Sequence, residues 1–328
     1  MNVCDTLSDQ LYFGVSPVVQ KVKANIGVAA KAGCAVLILG ETGTGKSALA
    51  RLIHDGGARK GNAFVDVNCS GLRGDLLKSE LFGYAKGAFT GSVGERAGLI
   101  EEADGGTLFL DEIGDMAPDV QSLLLKVIEE KIFRRVGEGS FRRSDFRLIC
   151  ATNRDLRAAV AAGAFREDLF YRINAFPITV PPLRERKGDF HGLLRHLLDG
   201  LGYAAPLSGE IANRLAAYPW PGNIRQLRNG LEKALAYAQG NALALEHISD
   251  IISPENAPPI AAGQAKGAAP PASGWNLSDL ERAHLRRALE HFGGDKFKAS
   301  EALGVSLSTI YRKLDKAWEE SGEAGGGM

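Results

Sequence analysis

The segment that most constrains this chain lies at residues 40–47. Its residues fit the pattern G-x-x-x-x-G-K-[ST] of phosphate-binding loops and are Gly40, Glu41, Thr42, Gly43, Thr44, Gly45, Lys46 and Ser47. The apolar run before it, AVLIL at 35–39, is typical of a buried parallel strand, and residues 48–54 after it are able to form a helix. Because such a loop joins a strand to a helix in this order, the motif predicts a nucleotide-binding α/β domain.

Each residue type in this loop has a chemical reason to be there. The glycines let the backbone turn its N–H groups towards phosphate oxygens, and the start of the following helix adds partial positive charge. Lys46 is placed to reach the β- and γ-phosphates, and the Ser47 hydroxyl is placed to bind Mg²⁺. A glycine-rich turn that matches by chance is the alternative, and the flanking strand and helix argue against it.

The pattern around the loop predicts a parallel sheet wound with helices. Further strands are predicted at 63–68, 107–110, 146–151 and 176–180, and helices at 17–31, 76–82 and 118–130. The glycine-rich stretch 83–98 is predicted to be a loop. Strands that alternate with helices are typical of an α/β fold, which we assign to residues 11–182 after a polar lead at 1–10.

The character of the chain changes after Pro181 and Pro182. Helical patterns at 190–201, 211–217 and 224–239, with no strand signal, predict a helical subdomain over 183–252. Residues 253–276 are rich in Pro, Ala and Gly and predict a flexible linker, because they have few large apolar side chains to bury. A final helical module is predicted at 277–318, followed by a flexible tail at 319–328.

The amino-acid composition bears on the cellular location of the protein but does not identify its partner. Lys+Arg and Asp+Glu both number 39, so the net charge of zero argues neither for nor against nucleic acid. The four cysteines are scattered, with no C-x-x-C, which favours reduced thiols in a cytosol. No signal peptide is visible, and no apolar run approaches the ~18 residues of a membrane helix. We therefore expect a cytoplasmic protein with no membrane partner.

Two carboxylates follow the strand predicted at 107–110. Asp111 is placed to hold Mg²⁺, directly or through water, and Glu112 is placed to polarise the water that attacks the γ-phosphate. Two acidic residues on a solvated loop are the alternative. The phosphate-binding loop earlier in the chain favours the catalytic interpretation.

Asn153 ends the strand predicted at 146–151, in the sequence ATN. Ligands of parallel sheets bind at the carboxyl ends of the strands, so this side chain is placed to orient water or to sense the γ-phosphate. The alternative is that Asn153 caps a helix over residues 155–162.

Arg166 and Arg172 lie six residues apart in FREDLFYR. An arginine from a neighbouring subunit can stabilise transition-state charge during phosphoryl transfer. Spacing alone instead favours surface ion pairs with Glu167 and Asp168, and both interpretations stay open at this point.

Seven motifs extend the comparison to a known family. They occur in order over residues 40–229 and are GETGTGKS, ELFGYAKGAFTGS, GGTLFLDE, ATNRDL, FREDLFYR, VPPLRERKGD and WPGNIRQLRN. Together they resemble the AAA+ domain of bacterial enhancer-binding proteins, the activators of sigma-54 RNA polymerase. The resemblance covers about residues 14–240.

The most discriminating of these motifs is a short loop, and its residues are Gly87, Ala88, Phe89, Thr90, Gly91 and Ser92. It resembles the G-A-F-T-G-A loop with which the family contacts sigma-54. Ser92 stands where the family usually has Ala. This change adds one hydroxyl, so we expect the contact with sigma-54 to survive, and weaker coupling is the alternative. Ser47 stands where many members have Glu and follows the general phosphate-binding pattern.

The resemblance implies roles at matching positions. Residues 40–47 bind ATP and, through Ser47 with Asp111, Mg²⁺. It also implies that Asp111 and Glu112 are the Walker B pair, and that Asn68 is a switch that holds Glu112 inactive until sigma-54 engages. Thr152 and Asn153 would form sensor I, and Arg225 in the helical lid would be sensor II. Arg166 and Arg172 would be fingers that act in trans. Fingers acting in trans require an oligomer, and the family forms hexameric rings.

The end of the chain reads as helix, turn and helix over residues 295–314. Gly304 makes the turn and Ser306 caps the second helix. The segment resembles a Fis-type DNA-binding domain with a dimerisation helix before it, whereas a plain helical hairpin is the alternative. One recognition helix per chain implies a dimer on two half-sites about one DNA turn apart. The residues predicted to contact DNA are Ser306, Ser308, Thr309, Tyr311, Arg312 and Lys313.

We therefore expect a sigma-54-dependent activator. Dimers would bind enhancer DNA, and AAA+ domains would form a ring whose ATP hydrolysis opens the closed complex of sigma-54 RNA polymerase. An AAA+ remodeller of another target and an ATP-switched repressor are the alternatives. The 87–92 loop argues against the first, and the intact Glu112 and finger arginines argue against the second. With no N-terminal regulatory domain before the AAA+ region, control is expected in trans, from a regulatory protein, a second subunit of a hetero-oligomer or expression level.

Overall fold

The computed structural model describes residues 14–71, 74–88, 94–249, 251–252, 285, 292–293, 295–303, 305–307 and 309–310. They belong to two compact units, one within residues 1–260 and one within residues 261–328. The polar lead, the linker, the tail and most of the C-terminal module predicted above lie outside the described residues. So do Phe89, Thr90, Gly91 and Ser92 of the loop and Ser308, Tyr311, Arg312 and Lys313 of the module.

The first unit is built on a five-stranded parallel sheet with two small hairpins beside it. The strands are β1 Val36–Leu39, β2 Phe64–Asn68, β3 Gly83–Tyr84, β4 Arg96–Ala97, β5 Thr107–Asp111, β6 Ile132–Phe133, β7 Arg142–Arg143, β8 Arg147–Thr152 and β9 Phe176–Thr179. The sheet order is β2-β5-β8-β1-β9, and all four pairings are parallel. The carboxyl ends of the strands therefore meet at one edge.

Helices cover the sheet and continue into a helical subdomain. They are α1 Pro17–Lys31, α2 Lys46–Asp55, α3 Gly74–Phe82, α4 Leu99–Glu102, α5 Pro118–Glu130, α6 Leu156–Ala161, α7 Glu167–Ile173, α8 Phe190–Gly200, α9 Gly209–Ala217, α10 Asn223–Ala238 and α11 Leu245–Ser249. Short 3₁₀ turns lie at Ile113–Asp115, Leu183–Glu185 and Lys187–Asp189. In the second unit the structure describes one helix, α12 Lys296–Leu303.

Local sequence explains where the long helices begin and end. Helix α5 has Pro118 in its first turn, where a missing N–H costs nothing, and a buried stripe that includes Val120, Leu124 and Val127. It ends at Glu130, and the next residue, Lys131, adopts a left-handed conformation with φ 60°. Both ends of α5 agree with the prediction for residues 118–130.

Apolar side chains fill both faces of the sheet. Ile38 and Phe109 belong to the core on one face, and Leu37 and Leu108 belong to the core on the other. Burial on both faces is the reason that β1 and β5 contain continuous apolar runs. A third core fills the helical subdomain around Trp220, whose indole N–H donates to the Leu215 carbonyl at 2.7 Å. The prediction of a helix-covered parallel sheet with a helical subdomain is confirmed.

The prediction of a loop over residues 83–98 is wrong at both ends of this stretch. There β3 pairs with β4 in an antiparallel hairpin. A Cβ at Gly83, which has φ +73°, would lie 2.5 Å from the Arg96 carbonyl oxygen, so the glycine permits the close pairing. The hairpin of β6 and β7 and the helix α11 were also not predicted. Strands of two residues are too short to show a hydrophobic period.

Candidate nucleotide-binding site

The loop at residues 40–47 joins β1 to α2, as the motif predicts. Gly43 and Gly45 have φ values of 80° and 96°, in the left-handed region that glycine adopts without strain. Gly45 immediately precedes α2, so the N-terminus of that helix faces the loop. A helix N-terminus and a turn of backbone N–H groups form an anion-binding surface.

Lys46 begins α2 and is only 6% exposed. Its Nζ donates to the Gly40 carbonyl at 3.0 Å and lies 3.2 Å from Glu112 Oε1. The structure thus brings together the lysine of the phosphate-binding loop and the second predicted Walker B carboxylate, although they are far apart in sequence.

Ser47 and Asp111 meet beside this ion pair. The Ser47 hydroxyl donates to Asp111 Oδ2 at 3.3 Å, and Asp111 Oδ1 accepts from the Glu112 N–H at 3.0 Å. Burial and the neighbouring Glu112 charge raise the pKa of Asp111, while Lys46 opposes the rise. A hydroxyl and a carboxylate are hard oxygen ligands of the kind that Mg²⁺ prefers, so this pair fits the metal.

Glu112 has an unusual backbone. Its φ of 52° and ψ of 48° place a non-glycine residue in the left-handed region, just before the turn Ile113–Asp115. Such conformations are costly and cluster at functional sites. The second oxygen of the carboxylate, Oε2, accepts from the Asn153 N–H at 3.0 Å. Nothing in the local sequence predicts this conformation.

The predicted sensor residues lie at the end of β8. Thr152 is fully buried, and Asn153 donates its side-chain amide to Thr42 Oγ1 at 2.9 Å. The alternative role of Asn153 as a helix cap is wrong. Asp155 caps α6, because its carboxylate accepts from the N–H groups of Arg157 and Ala158 at 2.9 and 3.1 Å.

Asn68 ends β2 in register with Asp111. Its side-chain oxygen accepts from Ser70 N and Ser70 Oγ at 2.9 and 2.7 Å. Among the described residues, the partners of the Glu112 carboxylate are Lys46 and Asn153. The contact with Glu112 that the resemblance implies for Asn68 is therefore not made in this structure, where the Asn68 side-chain oxygen bonds to Ser70 instead.

The two finger candidates lie at opposite ends of α7. Arg166 precedes the helix and pairs with Asp168 at 2.7 Å, with a second contact to Ser122 Oγ at 3.2 Å. Arg172 lies in the last turn and is exposed. Within one chain, Arg166 thus makes the surface ion pair that its spacing favours.

The helical subdomain meets the phosphate-binding loop at the start of α10. The Arg225 N–H donates to the Gly43 carbonyl at 3.3 Å. A Cβ at Gly43 would lie 2.3 Å from the Gly222 carbonyl oxygen, so the two backbones are in close contact. Sequence reasoning identified Arg225 but missed its neighbour Asn223, which donates its side-chain amide to the Thr42 carbonyl at 3.0 Å.

A further residue that sequence reasoning missed is Arg184. Its guanidinium forms a fork with the Glu41 carboxylate, with distances of 2.8 and 2.5 Å. The hydrogen bond from Arg184 lowers the pKa of Glu41. Both Arg184 and Asn223 stand in the quoted motifs VPPLRERKGD and WPGNIRQLRN, which was the available signal.

Several cavities adjoin the loop. One of 440 Å³ is lined by residues that include Gly40 and Asn153, one of 430 Å³ by residues that include Thr42 and Arg225, and one of 590 Å³ by residues that include Glu41 and Arg184. The cavity of 440 Å³ lies at the carboxyl ends of β1 and β8, where ligands of parallel sheets bind.

Two residues of the loop at 87–92 are described. Gly87 has φ 80°, and the Ala88 N–H donates to the Ala85 carbonyl at 3.2 Å. A Cβ at Gly137 would lie 2.9 Å from Ala88 Cβ, so the start of the loop rests on the connection between β6 and β7. In the second unit, Ser306 Oγ accepts from the Thr309 N–H at 3.3 Å, the hydrogen bond that a helix cap makes.

Three family descriptions match the chain in sequence order. Residues 12–179 match the Sigma-54 interaction domain, residues 184–263 match the AAA+ ATPase lid domain, and residues 276–316 match the bacterial regulatory proteins of the Fis family. Within the described residues, no helix is long and apolar enough to cross a membrane.

Similar proteins agree with these matches. The transcriptional regulatory protein ZraR of Escherichia coli is 41% identical over 308 residues, which cover 92% of this chain and 68% of ZraR. The alginate biosynthesis regulator AlgB of Pseudomonas aeruginosa is 42% identical over 85% of this chain and 61% of AlgB.

A solved structure is also similar. The crystal structure of NtrX from Brucella abortus in complex with ATP matches 92% of this chain and 68% of NtrX, with 30% identity and a TM-score of 0.67. The phosphate-binding loop, the two domain matches before residue 263 and these relatives identify the chain as an ATPase. It belongs to the family of sigma-54-dependent transcriptional activators that carry a Fis-type DNA-binding domain.

Proposed function

We propose that this chain binds enhancer DNA as a dimer, assembles into a hexameric ring and uses hydrolysis of ATP with Mg²⁺ to open promoters held by sigma-54 RNA polymerase. The catalytic part of this proposal rests on one observation: residues that follow three different strands meet at the Glu112 carboxylate. Lys46 after β1 and Asn153 after β8 each lie within hydrogen-bond reach of the carboxylate of Glu112, which follows β5. These residues are the parts that phosphoryl transfer requires.

In the hydrolytic step, Glu112 polarises the water that attacks the γ-phosphate. The water oxygen forms a bond to phosphorus, the bond to the bridging oxygen of ADP breaks, and the proton of the water passes through Glu112 to solvent. Lys46 balances the negative charge of the phosphates. Asn153 holds Glu112 from its backbone N–H, while its side-chain amide bonds to Thr42 of the phosphate-binding loop.

Ser47 and Asp111 are the residues that would hold the metal, because their oxygens face each other at 3.3 Å. Bound Mg²⁺ supplies compensation of the charge that spreads over the phosphoryl oxygens in the transition state. Burial makes an uncompensated charge on Asp111 costly, so a bound cation would stabilise its carboxylate.

Arg166 and Arg172 act on the nucleotide of the neighbouring subunit in this proposal. Both project from the ends of α7, and each is at least partly exposed. A ring interface would replace the Asp168 partner of Arg166 with phosphate. The nucleotide state of each interface then controls the loop at 87–92, which contacts sigma-54.

The C-terminal module supplies the DNA contact. Ser306, with its capping contact to Thr309, begins the recognition helix. We propose that the residues reading or holding the duplex are Ser306, Ser308, Thr309, Tyr311, Arg312 and Lys313.

The test is a native gel of the full chain with sigma-54, with and without ADP and aluminium fluoride. This analogue mimics the transferring phosphoryl group and is expected to trap the ring on sigma-54. A complex that forms only with the analogue, and is lost in Thr90→Ala, supports the proposal. Normal ATPase activity with no trapped complex would instead point to another remodelling target, and absence of ATPase activity in the oligomer would favour a repressor.

A further inference from the structure

Asn223 begins α10 and is completely buried, with φ +53°. Asparagine tolerates this left-handed conformation better than most residues. Both the oxygen and the nitrogen of its side-chain amide are hydrogen-bonded. Oδ1 accepts from the Leu183 N–H at 2.8 Å, while Nδ2 donates to the Thr42 carbonyl at 3.0 Å and to Glu41 Oε2 at 3.2 Å. The buried Asn223 side chain therefore connects the Leu183 N–H, the Thr42 carbonyl and the Glu41 carboxylate.

Thr42 continues the connection on its other side. Its hydroxyl accepts from Asn153 Nδ2 at 2.9 Å, and the Asn153 N–H donates to Glu112 Oε2 at 3.0 Å. Residues from the lid, the phosphate-binding loop and the end of β8 thus form one continuous path. It runs from Asn223 through Thr42 and Asn153 to Glu112.

Other contacts also connect the phosphate-binding loop to the lid. The Arg184 fork holds the Glu41 carboxylate. The Arg225 N–H bonds to the Gly43 carbonyl, and Gly43 packs so closely against Gly222 that no Cβ fits. We therefore expect a displacement of α10 to move residues 41–43 as well.

We infer that Asn223 is a positioning residue for ATP hydrolysis, which acts through Thr42 and Asn153 to orient the Glu112 carboxylate. The position of the lid then sets the rate of the hydrolytic step as well as the affinity for nucleotide. This inference rests on the proposed role of Glu112 as the residue that polarises water.

A purely structural anchor would behave differently. If Asn223 only held the lid in place, its loss would lower the stability of the fold and raise KM, and kcat at saturating ATP would stay unchanged. If it orients Glu112, kcat must fall, and the effect must depend on Thr42. Spatial continuity alone does not establish coupling, so the test is a double-mutant cycle.

The experiment measures kcat and KM for ATP in the full chain, with Asn223→Gly, Thr42→Val and the double variant. Glycine removes the amide and tolerates φ +53°, and valine keeps the shape of threonine without the hydroxyl. Each single change is expected to lower kcat about tenfold to a hundredfold, because small misplacements of catalytic groups have effects of this size. The double variant is expected to be about as slow as the slower single variant.

Three controls make the result decisive. Thr42→Ser is expected to restore most of the kcat lost in Thr42→Val, and this pair still tests the path if Asn223→Gly fails to fold. Asn213→Gly removes an exposed asparagine from α9 of the same subdomain and is expected to leave kcat unchanged. Glu112→Gln tests the underlying role of Glu112.

The outcomes separate the inference from the proposed function. Effects on kcat that multiply in the double variant, or an unchanged kcat with raised KM, would overturn the positioning role of Asn223. If Glu112→Gln abolishes hydrolysis while Asn223→Gly keeps the normal kcat, only the inference fails. If Glu112→Gln still hydrolyses ATP at the normal rate, both the inference and the proposed role of Glu112 fail.

Discussion

The Glu112 carboxylate and the Asn153 backbone N–H are joined by a hydrogen bond of 3.0 Å, and Lys46 lies 3.2 Å from the other carboxylate oxygen. Each residue follows or ends a different strand of the sheet. Because parallel strands bring their carboxyl ends to one edge, three loops distant in sequence share this carboxylate. The first two predictions test the groups that meet there.

Lys46→Ala is expected to weaken nucleotide binding by about a hundredfold, because a charge-assisted contact to phosphate contributes roughly 1.5–3 kcal/mol. The measurement is titration with a fluorescent ATP analogue. Lys60→Ala changes an exposed lysine outside the loop and serves as the matched control. Unchanged affinity in Lys46→Ala would refute the role assigned to the lysine.

Glu112→Gln is expected to bind ATP with normal affinity and to hydrolyse it at least ~100-fold more slowly. The amide keeps the size of the carboxylate but loses its basicity, and general bases contribute about 10²–10⁴ in rate. Binding is measured by titration and hydrolysis by phosphate release. A hydrolysis rate near that of the unmodified chain would mean that another group polarises the water.

Thr90→Ala is expected to keep ATPase activity and to lose promoter opening, since the proposed role of the 87–92 loop is contact with sigma-54 and not chemistry. The measurement is open-complex formation on a sigma-54 promoter beside an ATPase assay of the same sample. Gly94→Ala is the control, because a Cβ there meets no atom within 4 Å. Normal activation by Thr90→Ala would contradict the assignment of the loop.

Gly43→Ala is expected to destabilise the junction of the phosphate-binding loop and the lid. The new Cβ would lie 2.3 Å from the Gly222 carbonyl oxygen, and φ +80° is strained for alanine. A residue forced into such a region costs on the order of 1–3 kcal/mol, before the clash is counted. We expect a lower unfolding temperature and weaker ATP binding, measured by calorimetry and titration. Gly61→Ala, which has open space around it, should change neither.

Asp189→Asn tests the link between the start of α1 and the helical subdomain. The buried Asp189 carboxylate accepts from the Val15 and Ser16 N–H groups at 2.7 and 2.9 Å and from the Ser16 hydroxyl. Loss of the charge is expected to lower the free energy of unfolding by about 2 kcal/mol at pH 7. Urea unfolding followed by circular dichroism measures the change, and the exposed Asp199→Asn is the control.

The same carboxylate predicts a dependence on pH. Burial acts to raise the pKa of Asp189, but the hydrogen bonds from Ser16 and Val15 outweigh it and hold the pKa below the ordinary value of 3.8. A lowered folded-state pKa stabilises the fold above the unfolded value and loses this effect as pH falls through the folded value. The stability difference between the unmodified chain and Asp189→Asn should therefore shrink below pH 3.8. A difference that stays constant on acidification would show that the charge does not stabilise this junction.

Patterns of local sequence determined the scaffold. The order of strand, glycine-rich loop and helix at 35–54 predicted the site. Short apolar runs, and the alternation of apolar and polar residues in AFVDVN at 63–68, predicted the five strands of the sheet. Helix α5 was predicted to the residue, since its first proline and its apolar stripe are local features of the sequence. The two-residue hairpins escaped prediction because so short a strand has no period.

The sequence by itself therefore determined the fold class and the family, and it predicted the phosphate-binding and Walker B residues. Only the tertiary structure decided which partner each side chain holds. Asn223 and Thr42 are 181 residues apart and meet at 3.0 Å, and Asn68 bonds to its neighbour Ser70 instead of Glu112. Local propensity acts over a few residues, whereas these contacts depend on how the lid closes on the sheet, so no pattern along the chain encodes them separately.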